Sequence, residues 1–425
     1  MKRSSLLFRI ALSVTVLIFC CAGLSAQVTL KPTDWPIPGT LFGLHCHHVG
    51  KNGVWPSIQF YDLRLWDSFT DWPTLESQRG KWDFSNLDRA LDLAEQHKVE
   101  VFLTLAWSPS WASARPNDKG HGPQGAVAEP KNMADWQNYV ETIATKYKGR
   151  IKDYEIWNEP NSKGFYSGSI PQLVQLAQIA YTTIKRVDPS AIVTSPPVAG
   201  DNLNWLEDYL KAGGGKYADV IGHHFYVNPG PPELMVPLIE HVRQIMERNG
   251  VGHKALWDTE TGWAIQDQEG TVQPATGGGF NSIVLSENQA AGYVARSYIL
   301  NWAAGAERLY WYAWDDGVMG LAEKDWKTPK AAGIAYEQVE KWLGGARMTS
   351  CGSDAADVWT CAITRPGGYH GWIVWEPKGP ASFAVPTQWK VGTIRELNGT
   401  SRPLGKAQSI QIGPSPLLLE SSAPM

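Results

Sequence analysis

The feature that most constrains this chain is an alternation. Short β-rich runs recur at 40–46, 61–66, 99–107, 153–159, 191–197, 219–227, 254–260 and 308–314. Amphipathic helical patterns fill most of the gaps, at 85–97, 134–148, 170–187, 202–212, 233–249 and 287–304, and another at 330–343 follows the last run. Strands that alternate with helices favour a parallel sheet, and eight such units favour a closed α/β barrel of the (β/α)8 TIM type over an open doubly wound sheet. No GxGxxG follows an early strand, which further weakens the open-sheet reading. The gap between the first two runs is too short for a full helix. From about 346 the alternation stops, and β-rich runs separated by Gly, Pro and Asn predict a small C-terminal antiparallel β-sandwich. The expected division is therefore 1–26, 27–345 and 346–425.

The first segment reads as a removable secretory signal. Lys2, Arg3 and Arg9 precede an apolar run from Ile10 to Cys21, and small residues lead to a cut after Ala26. A secreted or periplasmic location follows as the expectation. The run is shorter than the ~20 residues a membrane span needs, and Phe19 stands where a lipoprotein signal requires small residues. Removing the segment moves the formal charge from −4 to −7. Without a clustered basic stripe, that balance argues against nucleic acid or a membrane surface as partner. Cys351 and Cys361, close together in the β-rich region of an exported chain, are a natural disulfide, while Cys46 reads as a buried barrel thiol. The 21 tryptophans fit either a large core or stacking platforms for a ligand.

A barrel of this kind carries its site at the C-terminal ends of its strands. There the sequence puts His45, His47, Arg64, Asn158, Glu159, His223, His224, Tyr226, Asp258, Glu260 and Asp315. Two glutamates, Glu159 and Glu260, converge on one cleft. Paired carboxyls suit cleavage of a glycosidic bond, because one must be protonated to release the leaving oxygen while the other is ionised. No cofactor or metal is needed for that chemistry, and the partner it implies is a poly- or oligosaccharide.

The runs "IWNEPN" (156–161) and "LWDTETGW" (256–263) resemble the fourth- and seventh-strand motifs of clan A glycoside hydrolases. The longer run "VETIATKYKGRIKDYEIWNEPN" is most similar to family 39, with family 5 second. The resemblance implies a retaining double displacement on bonds of β-D or α-L configuration. Position by position, it makes Glu159 the general acid/base and Glu260 the nucleophile. It has Asn158 meet the sugar 2-hydroxyl, Tyr226 donate to the nucleophile with His224 as companion, and Arg64 keep the nucleophile ionised. A salt bridge within the barrel mouth is the plainer role for Arg64. At the third strand "LAWSPSW" departs from the family 5 pattern and puts Trp107 and Trp111 in the neighbourhood. Trp311 and Trp314 are expected at the floor on which the sugar rests, at least one of them as core because side chains alternate faces, with Trp311 favoured as the substrate platform; Trp263 is a further subsite candidate. Long loops at 112–132 and 263–285 read either as functional walls, which would shape a groove or close a pocket, or as disordered insertions.

Two other readings stay open. The HxH of His45 and His47 with Asp315 fits a metal-dependent amidohydrolase barrel, and a decayed barrel that only binds carbohydrate is the second. The C-terminal sandwich is expected to pack against the barrel and stabilise it.

Overall fold

The structure is a computed structural model that describes residues 27–267, 270, 283–406 and 408–422. The leader expected at 1–26 and much of the loop expected at 263–285 lie outside the described residues. Eight parallel strands close into a barrel: β1 (Phe42–His45), β2 (Asp62–Leu65), β3 (Glu100–Leu105), β4 (Asp153–Ile156), β5 (Ile192–Thr194), β6 (Val220–His224), β7 (Ala255–Thr261) and β8 (Leu309–Trp311). Closure is completed by pairing of β8 with β1 and by the Thr194–Val220 contact between β5 and β6. All eight expected strands are present. The short first gap holds only the four-residue helix Val49–Asn52.

The expected helices appear as Ser85–His97, Met133–Lys146, Ile170–Val187, Leu203–Lys211, Met235–Arg248, Glu287–Ala304 and Ala331–Leu343. Their ends follow local chemistry. Ser169 and Gln172 form a reciprocal capping box at the start of Ile170–Val187, which satisfies backbone N–H groups that a first turn leaves unpaired. No helix among the described residues is long and apolar enough to cross a membrane.

Alternation along the barrel strands sends every second side chain inward, and the inward residues form layers. At the N-terminal ends Arg308 pairs with Asp62 and Asp153, and Tyr310 donates to Asp62 at 2.7 Å. Above this sits an aromatic layer in which Phe102 lies 5.8 Å from Trp257 and 5.2 Å from Tyr310. Gly43 makes room for it, because a Cβ there would stand 2.4 Å from the Tyr310 ring. The layer at the C-terminal ends is polar again, with Arg64, Thr104 and Glu155.

The C-terminal strands are β9 (Arg347–Ser353), β10 (Trp359–Arg365), β11 (Tyr369–Trp375), β12 (Ala381–Ala384), β13 (Val391–Arg395), β14 (Ser401–Pro403), β15 (Ser409–Ile412) and β16 (Leu417–Ser421). Strands β12 and β15 pair with each other, and the remainder build a larger antiparallel sheet, so the sandwich is present. One edge departs from the expected division: Val28–Leu30 pairs with β9 and so belongs to this sheet rather than to the barrel. Cys351 and Cys361 are directly opposite across β9 and β10 and form a disulfide, and Cys46 is a buried free thiol. Trp375 stacks on Trp359 and donates from Nε1 to Glu233 at 2.8 Å, while Glu233 holds Arg296. These contacts seat the sheet on the helical shell of the barrel.

Candidate active site

Strand β4 is shorter than its sequence run, and the residues after it take an unusual backbone. Trp157 and Glu159 have φ of 62° and 40°, a left-handed conformation that costs a non-glycine residue about 1 kcal/mol or more. Trp157 is wholly buried and donates from Nε1 to the Phe165 carbonyl at 2.9 Å, which fixes the turn. This left-handed turn, rather than a continuation of the strand, directs Asn158 and Glu159 into the cleft.

Arg64, at the end of β2, organises the floor. Its Nη1 donates to Glu260 Oε2 at 2.8 Å, its Nη2 donates to Asn158 Oδ1 at 2.8 Å, and its Nε donates to Glu155 Oε2 at 2.9 Å. Thr104 donates to the same Glu155 oxygen at 2.9 Å. On the other side, the Tyr226 hydroxyl donates to Glu260 Oε1 at 3.0 Å. His224 Nδ1 lies 2.8 Å from Glu159 Oε1 and 3.9 Å from Glu260 Oε1. Ligating atoms of Glu159, His224 and Glu260 all fall within 4.8 Å of one another. The expected pair and its four polar companions are thus brought together.

Burial dominates the electrostatics. It pushes the Glu159 carboxyl up to about 7, against the opposing pull of Arg64 and His121. Glu260 is raised as well, chiefly by burial, with His224 and Arg64 opposing and Glu159 adding to the rise. Burial drives His224 down to about 3, so it is a neutral imidazole. Tyr226 is held well above its ordinary value by burial and the two carboxyls, and stays a phenol donor. Buried donors and acceptors left unspent at the floor include Asn158 Nδ2, His224 Nε2 and Glu155 Oε1.

The tryptophans sit deeper than expected. Trp311 and Trp263 are wholly buried and stacked at 5.9 Å, and their Nε1 groups are spent on the carbonyls of Met319 and Gly230. Trp311 therefore has no free face to offer a sugar. Trp314 is wholly buried as well, so both tryptophans of the last strand run are core. Trp107 is nearly buried, packed on Phe165 at 5.7 Å and on Trp66 at 5.4 Å. Half-buried Tyr312 instead presents an aromatic ring beside His45 and His47, at 5.1 and 4.8 Å.

Sequence reasoning passed over Glu155, Thr104, Asp67 and Tyr312. For Glu155 the signal was available, since it shares the inward face of β4 with Asp153. The HxH does not form a metal centre. His45 is buried against the Thr259 carbonyl and Arg64, and Asp315 accepts from the backbone of His47 and His48 and pairs with His48 Nδ1 at 2.8 Å. Among the described residues, the clusters spaced for a metal contain neither His45 nor His47.

Residues 52–247 match the sequence profile of the glycosyl hydrolases family 39. That span holds Arg64, Asn158, Glu159, His224 and Tyr226, and Glu260 lies beyond it. A β-xylosidase of Geobacillus stearothermophilus is 22% identical over 48% of this chain and 46% of its own length. A β-xylosidase of Caldicellulosiruptor saccharolyticus is 26% identical over 41% of this chain and 36% of its own. The chain thus spans less than half the length of these relatives. In structure, a family 39 glycoside hydrolase from Bacteroides cellulosilyticus superposes with a TM-score of 0.71 at 18% identity, covering 91% of this chain and 81% of that one. A family 39 β-xylosidase of Caulobacter crescentus gives 0.64 at 15% identity, covering 94% and 98%. These likenesses concern the fold.

Proposed function

We propose that the chain, whose residues 52–247 match the glycosyl hydrolases family 39, is a member of that family and a retaining glycoside hydrolase acting on a poly- or oligosaccharide. The observation that carries the reading is the separation of the carboxyl pair. Oxygens of Glu159 and Glu260 lie within 4.8 Å, near the ~5–5.5 Å of retaining enzymes and short of the ~6.5–9.5 Å that leaves room for a water in inverting ones.

Glu159, protonated up to about pH 7, donates its proton to the departing glycosidic oxygen. Glu260 attacks the anomeric carbon and forms a glycosyl ester, its charge held by Arg64 on one oxygen and Tyr226 on the other. Glu159, now ionised, then takes a proton from the water that hydrolyses the ester, and the site is regenerated. Asn158 Nδ2 is the unspent donor available to a sugar hydroxyl, its carbonyl oxygen being fixed by Arg64. His224 stays neutral and fixes the Glu159 carboxyl.

The β-xylosidase relatives make aryl β-D-xylosides the first substrates to try, followed by α-L-arabinosides. Proton NMR of the first-formed hemiacetal should show the anomeric configuration of the substrate, and the inverted anomer would overturn the mechanism. Export by the leader at 1–26 is part of the proposal, tested by N-terminal sequencing of the secreted protein, with Gln27 expected first.

A further inference from the structure

Beyond the catalytic pair, a third carboxylate faces the cleft. Asp67 follows Arg64 by three residues and is exposed, whereas Arg64, Leu65 and Trp66 are buried. Its backbone is left-handed, with φ 55°, and Phe69 repeats this with φ 61°. A non-glycine residue kept in that region is a local cost that the surrounding structure must offset, and such outliers cluster where a side chain is aimed for function. One Asp67 oxygen, Oδ2, accepts from the Tyr312 hydroxyl at 2.7 Å. No partner among the described residues takes the other. The Tyr312 ring that holds Asp67 stands 5.1 Å from His45, whose Nε2 lies 3.4 Å from the Arg64 Nη1 that binds Glu260, which puts the carboxylate beside the reacting centre, and its charge adds to the burial that raises Glu159, Glu260 and Tyr312.

The charges around it are one-sided. Those acting most strongly on Glu159 and Glu260 come from Arg64, His224, His121, Asp67 and, on Glu260, from Glu159. Arg64 is the permanent cation of this set, and it is wholly buried and committed to Glu155, Glu260 and Asn158. His224 is neutral. Within this set the fixed positive charge is therefore already spent, and the carboxylates are what an incoming sugar meets.

On the reading of this site as a glycosidase cleft, we propose that Asp67 is a specificity-determining residue that accepts hydroxyls of an uncharged sugar beside the catalytic pair and rejects sugars bearing a carboxylate or sulfate. A carboxylate suits a sugar well, since its free oxygen accepts from hydroxyls, and the same charge repels an anionic substituent in a partly desolvated cleft. Tyr312 serves as the positioning residue, holding Oδ2 so that Oδ1 stays free.

The test is binding, kept separate from turnover. Non-hydrolysable 4-nitrophenyl 1-thio-β-D-xyloside, -glucoside and -glucuronide are titrated into the full chain and into Asp67→Asn, Asp67→Ala and Tyr312→Phe, with thermal melts as a folding control. A neutral probe should bind, and the glucuronide should bind at least about a hundredfold more weakly. Asp67→Asn should weaken the neutral probe about tenfold and narrow the gap by a similar factor. Four results would overturn the inference: no neutral probe bound, a glucuronide bound as well as the better neutral probe, an Asp67→Asn variant with an unchanged gap, or a Tyr312→Phe variant that reproduces Asp67→Asn in full. Binding with this preference but no hydrolysis of O-glycosides would overturn the glycosidase reading and leave the role of Asp67 standing.

Discussion

At the N-terminal ends of the barrel strands Arg308 lies among Asp62, Asp153 and Glu100, and at the C-terminal ends Arg64 lies among Glu155, Glu260 and Asn158. Both clusters bury an arginine against acids on inward strand faces. They differ in what is left over. At the lower cluster the unpartnered atoms include an oxygen on each of Asp62 and Asp153, whose pKa values burial raises, so uptake of a proton relieves the excess charge. At the upper cluster Glu155 likewise keeps an oxygen without a partner and has its pKa raised by burial, but an amide donor of Asn158 is unspent as well, which no change of pH near neutrality removes. Exposure separates them too: the Asp62 and Asp153 side chains are 0% accessible, those of Glu159 and Glu260 13% and 8%. A buried arginine among carboxylates is thus no sign of chemistry by itself. An unspent donor next to reachable carboxylates is.

The largest expected effect breaks the upper cluster at its nucleophile. Glu260→Ala should lower kcat by about 10⁴–10⁶-fold with a thermal midpoint close to that of the parent, and added azide should restore turnover to a glycosyl azide of inverted configuration. Turnover persisting without azide would remove Glu260 from the mechanism. Glu159→Ala should cost about 10²–10⁴-fold, with the smaller loss on substrates whose leaving group departs without a proton. Azide should here yield a product of retained configuration, and the two anomers together tell the roles of the glutamates apart.

The arginines sharpen the comparison through a split between stability and activity. Arg308→Met leaves Asp62 and Asp153 buried without their cation and should cost about 3–5 kcal/mol, read by denaturant unfolding, while kcat per folded molecule stays within twofold or so of the parent. Arg64→Met should lower both stability and kcat, because Glu260 loses the donor on Oε2. If Arg308→Met lowered kcat of the folded fraction as much as Arg64→Met, the division of labour between the two ends would be wrong.

Much of the barrel was legible because it rests on periodicity. Strand runs of period two and helices such as Ser85–His97 and Ile170–Val187 follow from side-chain pattern and caps, which are local. Glu159 and Glu260 were legible as strand-end acids made specific by their neighbours. What escaped depends on closure. That Arg308 meets Asp62 and Asp153 requires strands far apart in sequence to share one lumen, and that Trp311 is walled in by Trp263 depends on packing from a loop. Asp67 and the route of Asn158 and Glu159 into the cleft depend on left-handed backbone at residues other than glycine, which propensity does not flag. Val28–Leu30 joined the distant C-terminal sheet because the edge strand β9 offered it an open ladder.

The smallest effect is also the most direct probe of the upper cluster, since it needs no substitution. Burial raises Glu159 to about 7, so the acid keeps its proton through pH 6 and loses it by pH 8. The fraction protonated, and with it kcat/KM on a substrate that needs acid assistance, should fall about tenfold across that interval. Protonation of Glu260 acts in the opposite sense, removing the nucleophile as pH falls, so the profile should be a bell. Changing the leaving group tests which limb belongs to Glu159. With a nitrophenolate the alkaline limb should flatten when glycosylation is measured under single turnover, because departure no longer awaits a proton, while the acid limb stays. An alkaline limb independent of the leaving group would assign that ionisation to a group other than Glu159.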